Sequence, residues 1–171
     1  MSEKTLWAPW RIEYILDNKN KNRKCIFCPN ILPGSRKDSL ILYRGPMSMV
    51  MMNRYPYNNG HLLVSPLKHI PDLEGLTPEE MKDLFLIVRE SVKILKKVMN
   101  PDGFNVGINL GRVAGAGIEG HVHFHIVPRW NGDTSCMTVI SETRVIPEHL
   151  MMTYEKLLPH FYSLEESHEK A

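Results

Sequence analysis

The segment EGHVHFHIVPRW, residues 119–130, carries His121, His123 and His125 at alternate positions, three of the eight histidines in the chain. Side chains alternate along an extended strand. The three imidazoles would therefore share one face at roughly 7 Å per step, while Val122, Phe124 and Ile126 point the other way and anchor the strand in a core. Three solvated histidines on a half-exposed strand is the plain alternative. Chemically the row suits two tasks: imidazoles ligating a metal, or one nucleophilic histidine with two supporting ones. The stretch before it, GRVAGAG (111–117), is rich in glycine, and its backbone N–H groups can cradle an anion. A phosphate held there would lie beside the histidines. Neutral imidazole, with a pKa of ~6.5, is a competent nucleophile toward phosphorus. A glycine-rich loop feeding His-x-His-x-His favours the nucleophile over the metal.

Cys25 and Cys28 form a C-x-x-C, and Cys136 stands alone. An odd cysteine count in a chain without an export signal argues against a disulfide framework. A thioredoxin-type redox pair belongs in a βαβ context, which this pattern lacks. Two readings remain: buried free thiols, or a zinc site needing two further Cys or His ligands.

These residues need elements to hold them. LILY (40–43), MSMVMMN (47–53) and HLLVSP (61–66) read as strands separated by the turn signals Gly45-Pro46 and YPYNNG (55–60). A helix is expected from about 78 to 99. Thr77 is its N-cap, Pro78 its first residue and Glu80 the partner in a capping box. Leu84, Ile87, Val88, Val92, Leu95 and Val98 then form one apolar face, and Asn100-Pro101 stops the helix. FNVGIN (104–109) alternates as a half-buried strand. RIEYIL (11–16) reads as a short helix, and PEHLMMTYEKLL, opening at Pro147, as a second helix after the long one. The order implies an α+β fold whose sheet is mainly antiparallel with a long helix packed on it. The basic run DNKNKNRK (17–24) reads as a solvated linker.

With 171 residues and a formal net charge of +2, the chain suits one domain and shows no bias toward nucleic acid or an acidic membrane surface. No apolar run has transmembrane length and no signal peptide is evident, so the reading is cytoplasmic.

HVHFHIV resembles the signature of the histidine triad (HIT) family of nucleotide hydrolases and transferases. NRYPYNNGHLLVSPLKH (53–69) resembles the family's nucleoside-binding strand and turn, and INLG (108–111) its phosphate-side strand. With AGAGIEGHVHFHIVPRWNGD and LWAPWRIEYI, the pattern is similar to the branch of diadenosine tetraphosphate phosphorylases and dinucleoside polyphosphate hydrolases. The likeness covers roughly residues 5–133 and implies a HIT domain over 1–133, with 134–171 as an extension packed on it. It further implies His123 as the nucleophile forming a nucleotidyl-histidine, His125 as phosphate-side support and His61 as an additional active-site histidine. Asn53 falls at the ribose contact and Asn109 on the phosphate side. Many members carry Gln and Ser or Thr just before the first histidine. Here the loop is one residue longer and reads Gly117, Ile118, Glu119, Gly120, so backbone contacts from Gly115, Gly117 or Gly120 would replace those side chains. Glu119 would repel substrate unless it points away. Zinc-bearing relatives complete the cysteine pair from the positions of His69 and His121, which implies one structural zinc per chain on Cys25, Cys28, His69 and His121. The resemblance also implies a homodimer, an adenine dinucleoside polyphosphate as substrate, and Mg2+ accompanying that substrate. Other AMP conjugates are alternative substrates. The rival readings are a nucleotide-binding regulator with slow turnover, and a metalloenzyme holding an open metal on all three histidines.

Overall fold

The structure is a computed structural model that describes residues 25–28, 36–133 and 146–169. The expected helix at 11–16, the basic run 17–24 and Cys136 lie outside the described residues. Five strands run β1 (Ile41–Arg44), β2 (Ser48–Met52), β3 (Leu62–Pro66), β4 (Gly103–Ile108) and β5 (Phe124–Arg129). They form one sheet in the order β1-β2-β3-β5-β4, with every neighbouring pair antiparallel. Two helices, α1 (Pro78–Met99) and α2 (Leu150–Glu169), complete the α+β fold. No helix among the described residues is long and apolar enough to cross a membrane.

Helix α1 starts and stops where its caps dictate. The Thr77 side chain accepts the Glu80 N–H at 3.2 Å, and the Glu80 carboxylate accepts the Thr77 N–H at 2.8 Å. These reciprocal bonds satisfy two donors that a helix start leaves open. At the other end Asn100 takes a left-handed φ of 47° and Pro101 cannot continue the helix. Leu84, Ile87, Val88 and Leu95 are buried, and Val92 and Val98 pack beside them. This face lies over β2, β3 and β5. Strand alternation then sorts the sheet. Val50, Met52, Leu62, Val64, Phe124 and Ile126 meet the helices, whereas Met49, Met51 and Leu63 join Phe27 and Ile41 on the opposite face.

The structure corrects three expectations. The row of histidines is not all strand: β5 begins only at Phe124, so His121 and His123 precede the ladder. Val122 still anchors that approach, buried in the core, its N–H bonded to the Ile70 carbonyl at 2.7 Å. β4 is an edge strand among the described residues; Phe104 and Ile108 reach the core margin, but Val106 stays 46% exposed. The second helix begins at Leu150 rather than Pro147, because the His149 ring caps it by accepting the Met151 N–H at 3.3 Å. It then passes through Pro159 to Glu169. Proline normally disrupts a helix interior, but burial of Tyr154, Leu157 and Phe161 on one face favours continuation. Glu165 near its end binds Arg36 and the Arg44 N–H.

Candidate functional site

The β2–β3 turn and β5 deliver the site to one face of the sheet. Leu63 pairs with His125 across β3 and β5, so His61, just before β3, comes beside His125. Gly60 makes the tight return with φ +72°, and a Cβ there would lie 2.5 Å from the Met99 sulfur. The left-handed backbone favours glycine, whereas the Met99 side chain is flexible and could give way.

Partners settle the tautomer of each ring. The Tyr57 N–H donates to His61 Nδ1 at 3.1 Å, and the Asn53 amide nitrogen faces the same atom at 3.2 Å. His61 Nδ1 therefore carries no proton, and Nε2–H donates to His125 Nδ1 at 3.0 Å. The remaining proton of neutral His125 sits on Nε2, a buried donor with no acceptor among the described residues. His123 is arranged the opposite way: Nδ1–H donates to the His121 carbonyl at 2.8 Å, which leaves a lone pair on Nε2. Its ring lies 4.9 Å from that of His125. All three rings are held neutral. Burial, reinforced by His125 and His123, pushes His61 down to about 3. Burial, then His123, pushes His125 down to about 4. Burial also lowers His123, which is only 6% exposed. The site thus presents one imidazole lone pair and one imidazole N–H side by side, suited to attacking an electrophile while donating to its oxygen.

His121 does something else. Its Nε2–H donates to the Pro66 carbonyl at 2.9 Å, so Nδ1 is the free base. That nitrogen lies 3.3 Å from Cys25 Sγ and 3.9 Å from Cys28 Sγ, while His69 Nδ1 is 3.2 Å from Cys28 Sγ. The four ligand atoms all fall within 4.8 Å of one another. A tetrahedral zinc, with bonds of about 2.3 Å to sulfur and 2.0 Å to nitrogen, sets sulfur–nitrogen edges of about 3.5 Å. The donor set and spacing fit such an ion, and the carbonyl behind His121 is the outer partner a metal-bound imidazole commonly has. Burial pushes the Cys25 thiol up to about 11, so a thiolate there needs a cation beside it.

The remaining expected residues are less uniform. Asn53 turns its carbonyl to the Tyr55 N–H at 2.9 Å and its amide nitrogen to His61, so it braces the turn beside the rings. Asn109 reaches the Gly115 carbonyl at 3.4 Å, and the Gly115 N–H bonds to Arg112 at 3.0 Å within its own turn. Gly117 is exposed with open space beside it, whereas Gly120 packs at the His69 ring, where an added Cβ would sit 3.4 Å from Nε2. Glu119 extends into solvent and pairs loosely with Arg112 at 4.0 Å. Arg129 is held by Asp133 and Asn105.

Two participants were not singled out by the sequence reading. Tyr57, 46% exposed, lies over His61 at 4.7 Å and nearly parallel to His125 at 5.8 Å and 16°. Phe27, between the cysteines, packs on His121 and His123. Tyr57 had passed as part of a turn. An apolar aromatic flanked by two thiols was the available signal for Phe27.

Residues 35–132 match the HIT domain. The AP-4-A phosphorylase of Mycobacterium tuberculosis is 36% identical over 154 residues, covering 86% of this chain and 79% of that protein. The asymmetrical bis(5'-nucleosyl)-tetraphosphatase of Schizosaccharomyces pombe is 40% identical over 97 residues, 57% of this chain and 53% of that one. The crystal structure of a Zn-bound histidine triad family protein from Mycobacterium smegmatis superposes with a TM-score of 0.59 at 26% identity, covering 75% of this chain and 87% of that chain. By its matched domain and by this relationship over most of its length, the chain belongs to the HIT-domain family.

Proposed function

We propose that the protein is a nucleotidyl hydrolase or phosphorylase acting at the α-phosphorus of adenosine-containing dinucleoside polyphosphates, through a nucleotidyl-His123 intermediate. The opposite tautomers of two adjacent neutral rings carry this reading. His123 Nε2 attacks phosphorus in line; the N–P bond forms as the P–O bond to the departing polyphosphate breaks. His125 Nε2–H donates to an oxygen of the reacting phosphate, its orientation maintained by His61 and, behind that, by the Tyr57 N–H. Water or inorganic phosphate then attacks the same phosphorus, the N–P bond breaks, and His123 regains its lone pair. Hydrolysis and phosphorolysis differ only in that acceptor. The activities named for the mycobacterial and yeast relatives are the two outcomes of this scheme. Asn53 is assigned to the ribose side, Asn109 and the open amides around Gly117 to the phosphates, and Mg2+ would accompany the substrate.

Cys25, Cys28, His69 and His121 would hold a structural zinc, since four protein ligands leave it no open position. With His121 so used and His123 Nδ1 and His125 Nδ1 already bonded, the three histidines do not converge on one ion. A homodimer joined through β4 is consistent with its edge position among the described residues and the exposed Val106 and Leu110.

The test is incubation with diadenosine tetraphosphate, with and without inorganic phosphate, followed by chromatography. AMP and ATP are the expected hydrolysis products, and ADP and ATP the phosphorolysis products. An alkaline quench should trap a protein phosphoramidate that His123→Asn abolishes while nucleotide binding survives. Near-wild-type turnover in His123→Asn would remove His123 as nucleophile. Nucleotide binding without any adduct would favour the regulatory reading.

A further inference from the structure

Ile26 and Phe27 stand between the two thiols with opposite fates. Ile26 is 39% exposed, whereas Phe27 is fully buried. The Phe27 ring centroid lies 4.7 Å from that of His123 with the planes 34° apart, and 5.1 Å from that of His121. A phenyl ring thus touches both the candidate nucleophile and a metal-ligating histidine without being either. Among the described residues the His123 ring has one hydrogen bond to orient it, from Nδ1 to the His121 carbonyl, and one neutral hydrogen bond is a modest restraint. Turning the ring over would exchange nitrogen for carbon at both positions, breaking that bond and moving the lone pair off its line. What opposes the turn is packing: His125 at 4.9 Å and Phe27 at 4.7 Å.

We propose that Phe27 is a positioning residue for His123: the segment supplying two metal ligands also sets an apolar wall against the imidazole, fixing where Nε2 points. The metal centre would then support the reaction through a side chain that contacts neither metal nor substrate. Four ligands tie residues 25 and 28 to the strand approach carrying His121, and the same closure presses Phe27 onto His123, two residues along. The catalytic consequence rests on His123 being the nucleophile; the bracing of its ring does not.

The test uses metal-loaded full-length protein and the volume-conserving variants Phe27→Leu and Phe27→Met, which keep the site filled but remove the flat face. In nitrogen-15 histidine spectra, wild-type His123 should show one tautomer, protonated at Nδ1. The variants should show averaged ring-nitrogen signals for His123 while His121 and the metal content stay unchanged. With diadenosine tetraphosphate, kcat should fall about ten- to a hundredfold, the range expected for a misaimed reacting group, with KM within about twofold of wild type. Averaged His123 signals in the wild type would overturn the proposal, whatever the variants do. So would variants that keep one tautomer and full turnover, or that lose turnover only in proportion to lost metal. If the wild type turns over no nucleotide yet the variants free the His123 ring, the bracing stands and the transferase reading fails.

Discussion

Acidification should unfold this protein through its buried histidines, and His61 allows the effect to be sized. In the unfolded chain it titrates near ~6.5. In the fold it is pushed down to about 3, by burial first and then by the neighbouring His125 and His123. Between those values the unfolded chain binds a proton that the folded chain refuses. Stability from this residue is therefore fully present above pH ~6.5 and is lost as the pH falls toward 3. At pH 5 the loss is one and a half pH units at about 1.4 kcal/mol each, or about 2 kcal/mol. His61 is 0% exposed, so solvent screening does not reduce the figure. Urea unfolding at pH 7.5 and pH 5 should show wild type losing about 2 kcal/mol more than His61→Gln, which cannot titrate but keeps an amide donor. Other groups, the metal ligands included, contribute to both proteins and largely cancel in the difference. Parallel losses in the two proteins would refute the account of a buried neutral His61.

Cys28→Ser should reduce bound zinc from about one per chain and lower Tm by roughly 10 °C, the shift that about 3 kcal/mol produces at this chain length; metal analysis and thermal melts check both. Asn53→Ala should raise KM for adenosine-containing substrates more than it lowers kcat, and steady-state kinetics with diadenosine tetraphosphate would expose an unchanged KM. Thr77→Ala should cost about 1 kcal/mol through the lost cap, without altering kcat, in paired urea melts and activity assays. Val106→Lys should shift a dimer toward monomer in sedimentation if β4 is the joint; an unchanged oligomer would move the interface elsewhere.

Helix α1 was legible to the residue because its signals are local: a capping box at Thr77 and Glu80, a run of apolar residues at helical spacing, and an Asn-Pro stop. β1 to β4 were legible to within a residue or two, since alternation and turn residues are also local, whereas β5 begins three residues after His121, where the expected strand of histidines was already running. The helix expected over PEHLMMTYEKLL ends at Leu158, but α2 runs on through Pro159, normally a local stop signal, to Glu169. Burial of Phe161, a tertiary contact, overrides that signal. The chemistry of HVHFHIV was legible as a set of residue types, and the family likeness supplied roles. Spacing alone would have placed all three histidines equivalently on one strand.

The sequence by itself determined which elements form and which groups are present: two thiols, a row of imidazoles, a glycine-rich loop and a sheet able to carry them. Tertiary structure decided what each imidazole is. His121, His123 and His125 are separated only by single apolar residues, yet the Pro66 carbonyl and the His61 ring leave the proton of His121 and of His125 on Nε2, whereas the His121 carbonyl draws that of His123 to Nδ1. Two of those partners lie 55 and 64 residues away. A tautomer is set by the atom a ring nitrogen faces, and only folding brings such atoms within 3.0 Å.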